Sequence, residues 1–181
     1  GLEQVRSALQ QRLRDCENTT RSMRGFFEAS RAVQAAEWSA FAEALLGGEN
    51  HHTAGSLCFV EQIARDSLED YVQGRRKAGD PGFTVRPAGD RASYLVIVHS
   101  YPPDSAASEI GLDLGADPEW KTAMERSRHS GAVEGRRGQT GLSPEEKNGR
   151  YRLFAAVQRK TDTGGDAKDS TRRPAGWVCV S

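Results

Sequence analysis

Phe83-Thr84-Val85-Arg86-Pro87-Ala88-Gly89-Asp90-Arg91-Ala92-Ser93-Tyr94-Leu95-Val96-Ile97-Val98 holds two runs of strand character on either side of a turn. Asp80-Pro81-Gly82 turns into the first run, and Gly89-Asp90 separates it from Tyr94 to Val98, a β-branched and aromatic stretch suited to a buried strand. The pair reads as a β-hairpin, and Tyr101-Pro102-Pro103 breaks its second strand.

Upstream the pattern is helical. No proline occurs from Leu2 to Leu46, and Leu2, Val5, Leu9, Leu13, Cys16, Met23, Phe27, Trp38, Phe41 and Leu45 recur at steps of three or four, as one apolar helical stripe requires. One long helix or two nearly continuous ones are predicted, with Gly47-Gly48 as the stop. Unbroken, such a helix is roughly 65 Å long at 1.5 Å per residue, so it must project as a stalk or pair with a partner. Phe26-Phe27 and Trp38 to Phe41 read as core packing. Phe59, Val60, Ile63, Ala64, Ser67, Leu68, Tyr71 and Val72 also repeat with helical period, and a second helix is predicted there, closing at Gly74 and Arg75-Arg76-Lys77.

Downstream, Asp117 can cap and Pro118 suits the first helical position, so a helix is predicted from about Pro118 to Ser130. Its inner face carries Trp120, Ala123, Met124 and Ser127, and Gly131 stops it. Strands are expected at Tyr151 to Gln158 and Gly176 to Val180, and Thr161 to Pro174 has the charged, Gly-rich composition of a mobile loop. The fold class is therefore α+β: a long N-terminal stalk helix (1–48), then a PAS-like antiparallel sheet flanked by helices (49–181).

Acidic and basic side chains balance at 25 each, so no global field holds phosphate backbones, and nucleic acid is not expected as a partner. No run approaches the ~20 apolar residues that cross a bilayer, and no charged-then-apolar leader precedes Leu2. Cys16, Cys58 and Cys179 lack CxxC spacing and read as buried small side chains, with a Cys58–Cys179 disulfide left open for an oxidising compartment. His51-His52 has no third ligand at metal spacing. No nucleophile elbow or phosphate loop is present. Neither a catalytic residue, a metal nor a cofactor is expected. Arg136-Arg137, with Arg150 and Arg152, reads as a solvated basic face rather than an anion site.

The stretch Phe83 to Arg91 with Tyr94, Val96 to Tyr101 and Pro102 resembles the CHASE pattern of an extended F-x-I-x-P-x-G-x-R, a tyrosine-led strand and a proline. Gly111-Leu112-Asp113-Leu114, then Asp117-Pro118 opening a helix that ends Arg126-Ser127-Arg128-His129-Ser130-Gly131, is similar to the family's GLDL…DP…A-R-x-T-G element. The resemblance covers about residues 25 to 181. It departs from the family in the strand Leu153 to Val157, which lacks a proline, and in Glu134 to Asn148, which lacks a Ser/Thr-Gly-Pro signal. Trp120 also stands where plant cytokinin receptors place an adenine-binding carboxylate.

The resemblance implies a periplasmic or extracellular sensor, membrane-anchored by flanking segments of an inner-membrane protein, with a histidine kinase or a diguanylate cyclase or phosphodiesterase as output. It also implies an unknown small-molecule ligand and a membrane-proximal lobe that is absent or reduced here. The ligand pocket is expected between the sheet and the loops around the Pro118 helix, among Tyr101, Leu114, Trp120, Leu142 and Phe154. A homodimer through the N-terminal helix is expected, and the rival reading is an interaction module without a ligand.

Overall fold

In the computed structural model, residues 1–30, 32–46, 55–103, 109–138, 150–158 and 176–181 are described. The N-terminal stripe forms two helices, α1 (Leu2–Ala29) and α2 (Ala35–Leu46). Ser30 breaks them by turning extended, at φ −98° and ψ 137°, and the Gln34 backbone N–H donates to the Glu37 carboxylate at 2.9 Å to start α2 afresh. Gly47-Gly48 and the Thr161–Pro174 stretch lie outside the described residues.

Five strands follow among the described residues: β1 (Leu57–Ala64), β2 (Ser93–Tyr101), β3 (Glu134–Gly138), β4 (Arg150–Val157) and β5 (Gly176–Val180). They form one antiparallel sheet in the order β2-β1-β5-β4-β3. Helix α3 (Leu68–Lys77) follows β1, and α4 (Pro118–Ser130) precedes β3. The α+β class and the antiparallel sheet flanked by helices are as expected.

Two local expectations are corrected. Phe59 to Ala64 is strand, and the helix begins only at Leu68. Phe83 to Pro87 does not pair with β2. Instead, Arg86 donates its N–H to the Gly111 carbonyl (2.9 Å) and accepts from Asp113 N–H (2.7 Å), while Ile97 of β2 accepts from Gly111 and donates to Leu112. The segment Gly111 to Asp113 thus lies between β2 and Phe83 to Pro87, satisfying the edge of β2 that a hairpin would have covered. Glu134 to Gly138, unassigned from the sequence, is strand β3.

One apolar layer packs the last turns of α1 and all of α2 on the sheet: Phe27 stacks on Phe59 at 4.0 Å, and Phe26 on Phe41 at 4.1 Å. Met23, Trp38 and Ala42 are buried there against Leu57, Val98 and Val178. The other layer places α4 over the opposite face, with Trp120, Ala123, Met124 and Ser127 buried as its periodicity requires. Arg24 of α1 donates to the Gly131 carbonyl at 2.8 Å, tying the stalk to the end of α4. By contrast Leu2, Val5, Leu9 and Leu13 are exposed.

Gly111 sits at φ +84°, and a Cβ there would collide with the Thr84 carbonyl. Gly111→Ala therefore costs both left-handed strain and a backbone clash, on the order of 2 kcal/mol. Thermal unfolding should show a melting point lower by about 5 °C for a chain of this size. A change under ~0.5 kcal/mol would mean that the junction relaxes.

Candidate functional site

The face under α4 is built from one residue in two along the central strands. Cys58 and Val60 of β1, Trp177 and Cys179 of β5, and Phe154 and Ala156 of β4 pack there with Leu95 and Ile97 of β2. The entry to α4 is fixed by two carboxylates. Asp117 caps the helix, its Oδ1 accepting from the N–H groups of Glu119 (2.9 Å) and Trp120 (3.2 Å). Asp113 is fully buried and accepts from the N–H groups of Leu95 (2.8 Å) and Gly115 (2.9 Å). Burial raises its pKa, and those N–H groups and Arg91 oppose the rise without cancelling it. Along α4, Ser127 Oγ accepts from Ala156 N–H (2.7 Å), and Trp177 Nε1 donates to the Met124 carbonyl (2.8 Å).

At the centre is Arg152, a guanidinium with no solvent exposure. It donates to Glu109 at 2.7 Å, and its Nη1 lies 3.6 Å from the sulfur of Cys58 and 3.5 Å from that of Cys179. These two cysteines are directly opposed on β1 and β5, and both are free thiols. Glu109 also accepts from Ser100 (2.8 Å), Ser56 (3.2 Å), Cys58 (3.3 Å) and Arg150 (2.5 Å). Burial works to raise the Glu109 pKa, but Arg152 and the hydrogen bonds from Ser100, Arg152 and Cys58 outweigh it and lower it. For Cys179, burial is likewise outweighed by the neighbouring Cys58 side chain and by Arg152, which lower its pKa, whereas Cys58 is raised by its contact with Cys179, by burial and by the Glu109 charge.

Trp120 covers this cluster, with the Arg152 guanidinium carbon 5.1 Å from its ring centroid. The backbone of Gly138 lies against the indole so closely that a Cβ would enter the ring. Among the described residues, two buried donors here have no acceptor: Trp120 Nε1 and Arg152 Nε. A surplus of buried N–H groups suits an acceptor-bearing molecule, because each unpaired donor costs about 1–3 kcal/mol until one arrives.

Of the residues singled out from the sequence, Leu114, Trp120 and Phe154 come together in this layer, all fully buried. Tyr101 is half-buried against the opposite layer. Leu142 lies outside the described residues, as do His51 and His52. Arg152 departs from the reading of a solvated basic face, since it is fully buried, whereas Arg137 is exposed as that reading expects. The place of Arg152 directly before the apolar run Leu153-Phe154-Ala155-Ala156-Val157 of the same strand was the available signal. Glu109 carries no such mark. Among the described residues, no group of three His, Cys, Asp or Glu side chains could hold a metal ion.

The sequence matches the model of the CHASE domain family over residues 31–181. The chain belongs to the CHASE domain family, whose members are sensory domains of signalling proteins and not catalytic ones. No curated protein matches it in sequence.

Glu109→Ala leaves Arg152 buried and uncompensated, and should cost on the order of 3–5 kcal/mol, whereas Glu109→Ala with Arg152→Met should recover much of that loss. Because the folded-state pKa of Glu109 is lowered, its contribution is present above the ordinary carboxylate range and is lost as pH falls through the lowered value. Chemical denaturation between neutral and strongly acid pH should show stability falling on acidification in the parent, and a flatter acid limb in the double variant. Equal acid limbs would show that the pair does not govern acid stability.

Proposed function

We propose that this chain is the extracytoplasmic sensor of a transmembrane signalling protein, coupling small-molecule binding to a cytoplasmic output, in the first instance a histidine kinase. CHASE domains are generally extracellular sensor domains, and the match over residues 31–181 is the observation that carries the reading. No helix of the described residues is long and apolar enough to cross a membrane, and the reading places the anchors in flanking segments. A diguanylate cyclase or phosphodiesterase is the alternative output.

The ligand site in this reading lies between α4 and β4, where it is met by Trp120, with Leu114 and Phe154 as apolar walls. The two unsatisfied donors, Trp120 Nε1 and Arg152 Nε, support it. Binding requires α4 to move from the sheet, and that displacement is the signal: a ligand shifts the equilibrium by the difference in its affinity for the two arrangements. A thermal-shift panel of small carboxylates, amides and nucleobases is the test. A compound that raises the parent's melting point by about 3 °C or more, yet acts about tenfold more weakly on Trp120→Phe, is expected. A compound equally effective on both removes Trp120 from the site.

The stripe Leu2, Val5, Leu9 and Leu13 supports a homodimer through α1. These side chains are 91%, 58%, 56% and 50% exposed, at steps of three and four residues, and two copies of one helix can bury such a stripe about a twofold axis. Leu9→Asp with Leu13→Asp should shift sedimentation toward the monomer. An unchanged mass distribution between parent and variant, in a membrane-tethered form as well, would remove α1 as the dimer element.

A further inference from the structure

A cleft lies on the opposite side of the sheet, away from α4. Between α2, the turn that ends α3 and the last residues of β2 is a cleft of about 420 Å³, within the roughly 300–1,000 Å³ that accommodates a small ligand. Trp38, His99, Tyr101 and Ile110 give it a mainly aromatic and apolar wall, and Arg75 and Asp80 give it one charge of each sign.

A bulge in β2 creates this wall. In the β1–β2 ladder, Phe59 pairs with His99 and Val60 with Ile97, so Val98 is an extra residue. Such a bulge re-aims side chains. Here it turns both Val98 and His99 toward α2: Val98 joins that core layer, and His99 lies 6.2 Å from Trp38 and 6.4 Å from Phe59, ring to ring. Burial, and secondarily Arg75, depress the His99 pKa to about 4. The imidazole is therefore neutral at physiological pH and adds a flat uncharged surface.

Arg75 is underused. Its guanidinium meets Asp80 at 3.6 Å and the Val98 carbonyl at 3.4 Å, both longer than the ~2.7–2.9 Å of a charge-assisted hydrogen bond, and its Nε has no partner among the described residues. Its body is held over the Phe83 ring, 5.0 Å from the centroid. The side chain is 28% exposed and that of Asp80 42%. Asp80 can therefore turn into water and yield its place to another carboxylate.

We propose that this cleft is a second ligand site, distinct from the α4 face, and that it takes a small planar carboxylic acid whose ring lies among Trp38, His99 and Tyr101 and whose carboxylate pairs with Arg75 in exchange for Asp80. The site stands whether or not the α4 face binds anything.

Sodium benzoate is the probe, benzamide its uncharged isostere, and the ¹H–¹⁵N spectrum of the full 181-residue chain the readout. Benzoate should move the Trp38 indole N–H and the Gly79 and Tyr101 amides saturably, with benzamide about tenfold weaker. Asp80→Asn, which removes the competing carboxylate, should tighten benzoate roughly threefold, and Arg75→Gln should abolish saturation. Arg75 also packs on Phe83, so Arg75→Lys is read beside it: it keeps the charge, loses the fork, and should weaken binding about fivefold. The proposal is overturned if benzamide binds as well as benzoate, if Asp80→Asn leaves the affinity unchanged, or if nothing saturates by about 20 mM. Shifts confined to the Trp120 or Trp177 indoles would also overturn it, and would place benzoate on the α4 face instead.

Discussion

A guanidinium in the middle of a sheet is the constraint around which this domain is arranged. Arg152 occupies a central strand, and taking such a cation out of water costs several kcal/mol unless a carboxylate and further hydrogen bonds meet it. No carboxylate on the neighbouring strands β3 or β5 does so. Glu109 arrives from the connection after β2, and once it is seated, the residues that follow it have little choice of path. Gly111 to Asp113 run along the edge of β2, Asp113 receives the Leu95 and Gly115 N–H groups, and the chain enters α4 at Asp117. Ser56, Ser100, Cys58 and Cys179 complete the shell around the pair. The value of such a pair is in specifying one arrangement more than in net stability, since a well-packed apolar replacement is often as stable.

The bulge at Val98 complements that constraint. Strict alternation along β2 would send Ser100 to the α2 side, away from Glu109. The extra residue reverses the phase, so that Ser100 reaches the carboxylate while His99, its immediate neighbour, remains with Trp38 and Phe59. One irregularity therefore supplies the polar cluster on one face and the aromatic wall on the other. Tyr101 falls on the α2 side for the same reason, which separates it from Leu114, Trp120 and Phe154.

How much of this was legible depends on whether the determining signal was local. The α4 helix was read from Asp117, Pro118, the spacing of Trp120 to Ser127, and Gly131, and its cap, buried face and left-handed end agree, because each is set within a few residues. β1 was misread because Phe59 and Ile63 share a face in a helix and in a strand alike, and Leu57 to Val60 is buried on both faces, which erases the alternation that marks a half-exposed strand. The hairpin failed for a different reason: Phe83 to Pro87 has strand chemistry, but its partner is the Gly111 to Asp113 segment, set by the distant Glu109–Arg152 pair. The cleft beside Arg75 is likewise invisible in the chain, since Trp38, Arg75 and His99 meet only after three elements have packed.

The adjacency of His99 and Ser100 bears on how a sensor of this shape can respond. A molecule in the proposed cleft between α2 and β2 would press on His99, and the next peptide carries Ser100, which donates to the buried Glu109 carboxylate. The stalk enters the same circuit, because α2 follows α1 after only Ser30 to Gln34, and Arg24 ties α1 to the C-terminal end of α4. Packed layers adjust between discrete arrangements more readily than they deform. If β2 has a second seating, displacing α2 by a side-chain width would change the balance between the two rather than strain one. A difference of only ~1.4 kcal/mol between those seatings is a tenfold change in their ratio, less than the cost of one unmet donor in the Arg152 cluster at the upper end of its range. The buried pair is thus positioned to set the free-energy gap between states, and the two faces of the sheet to bias it.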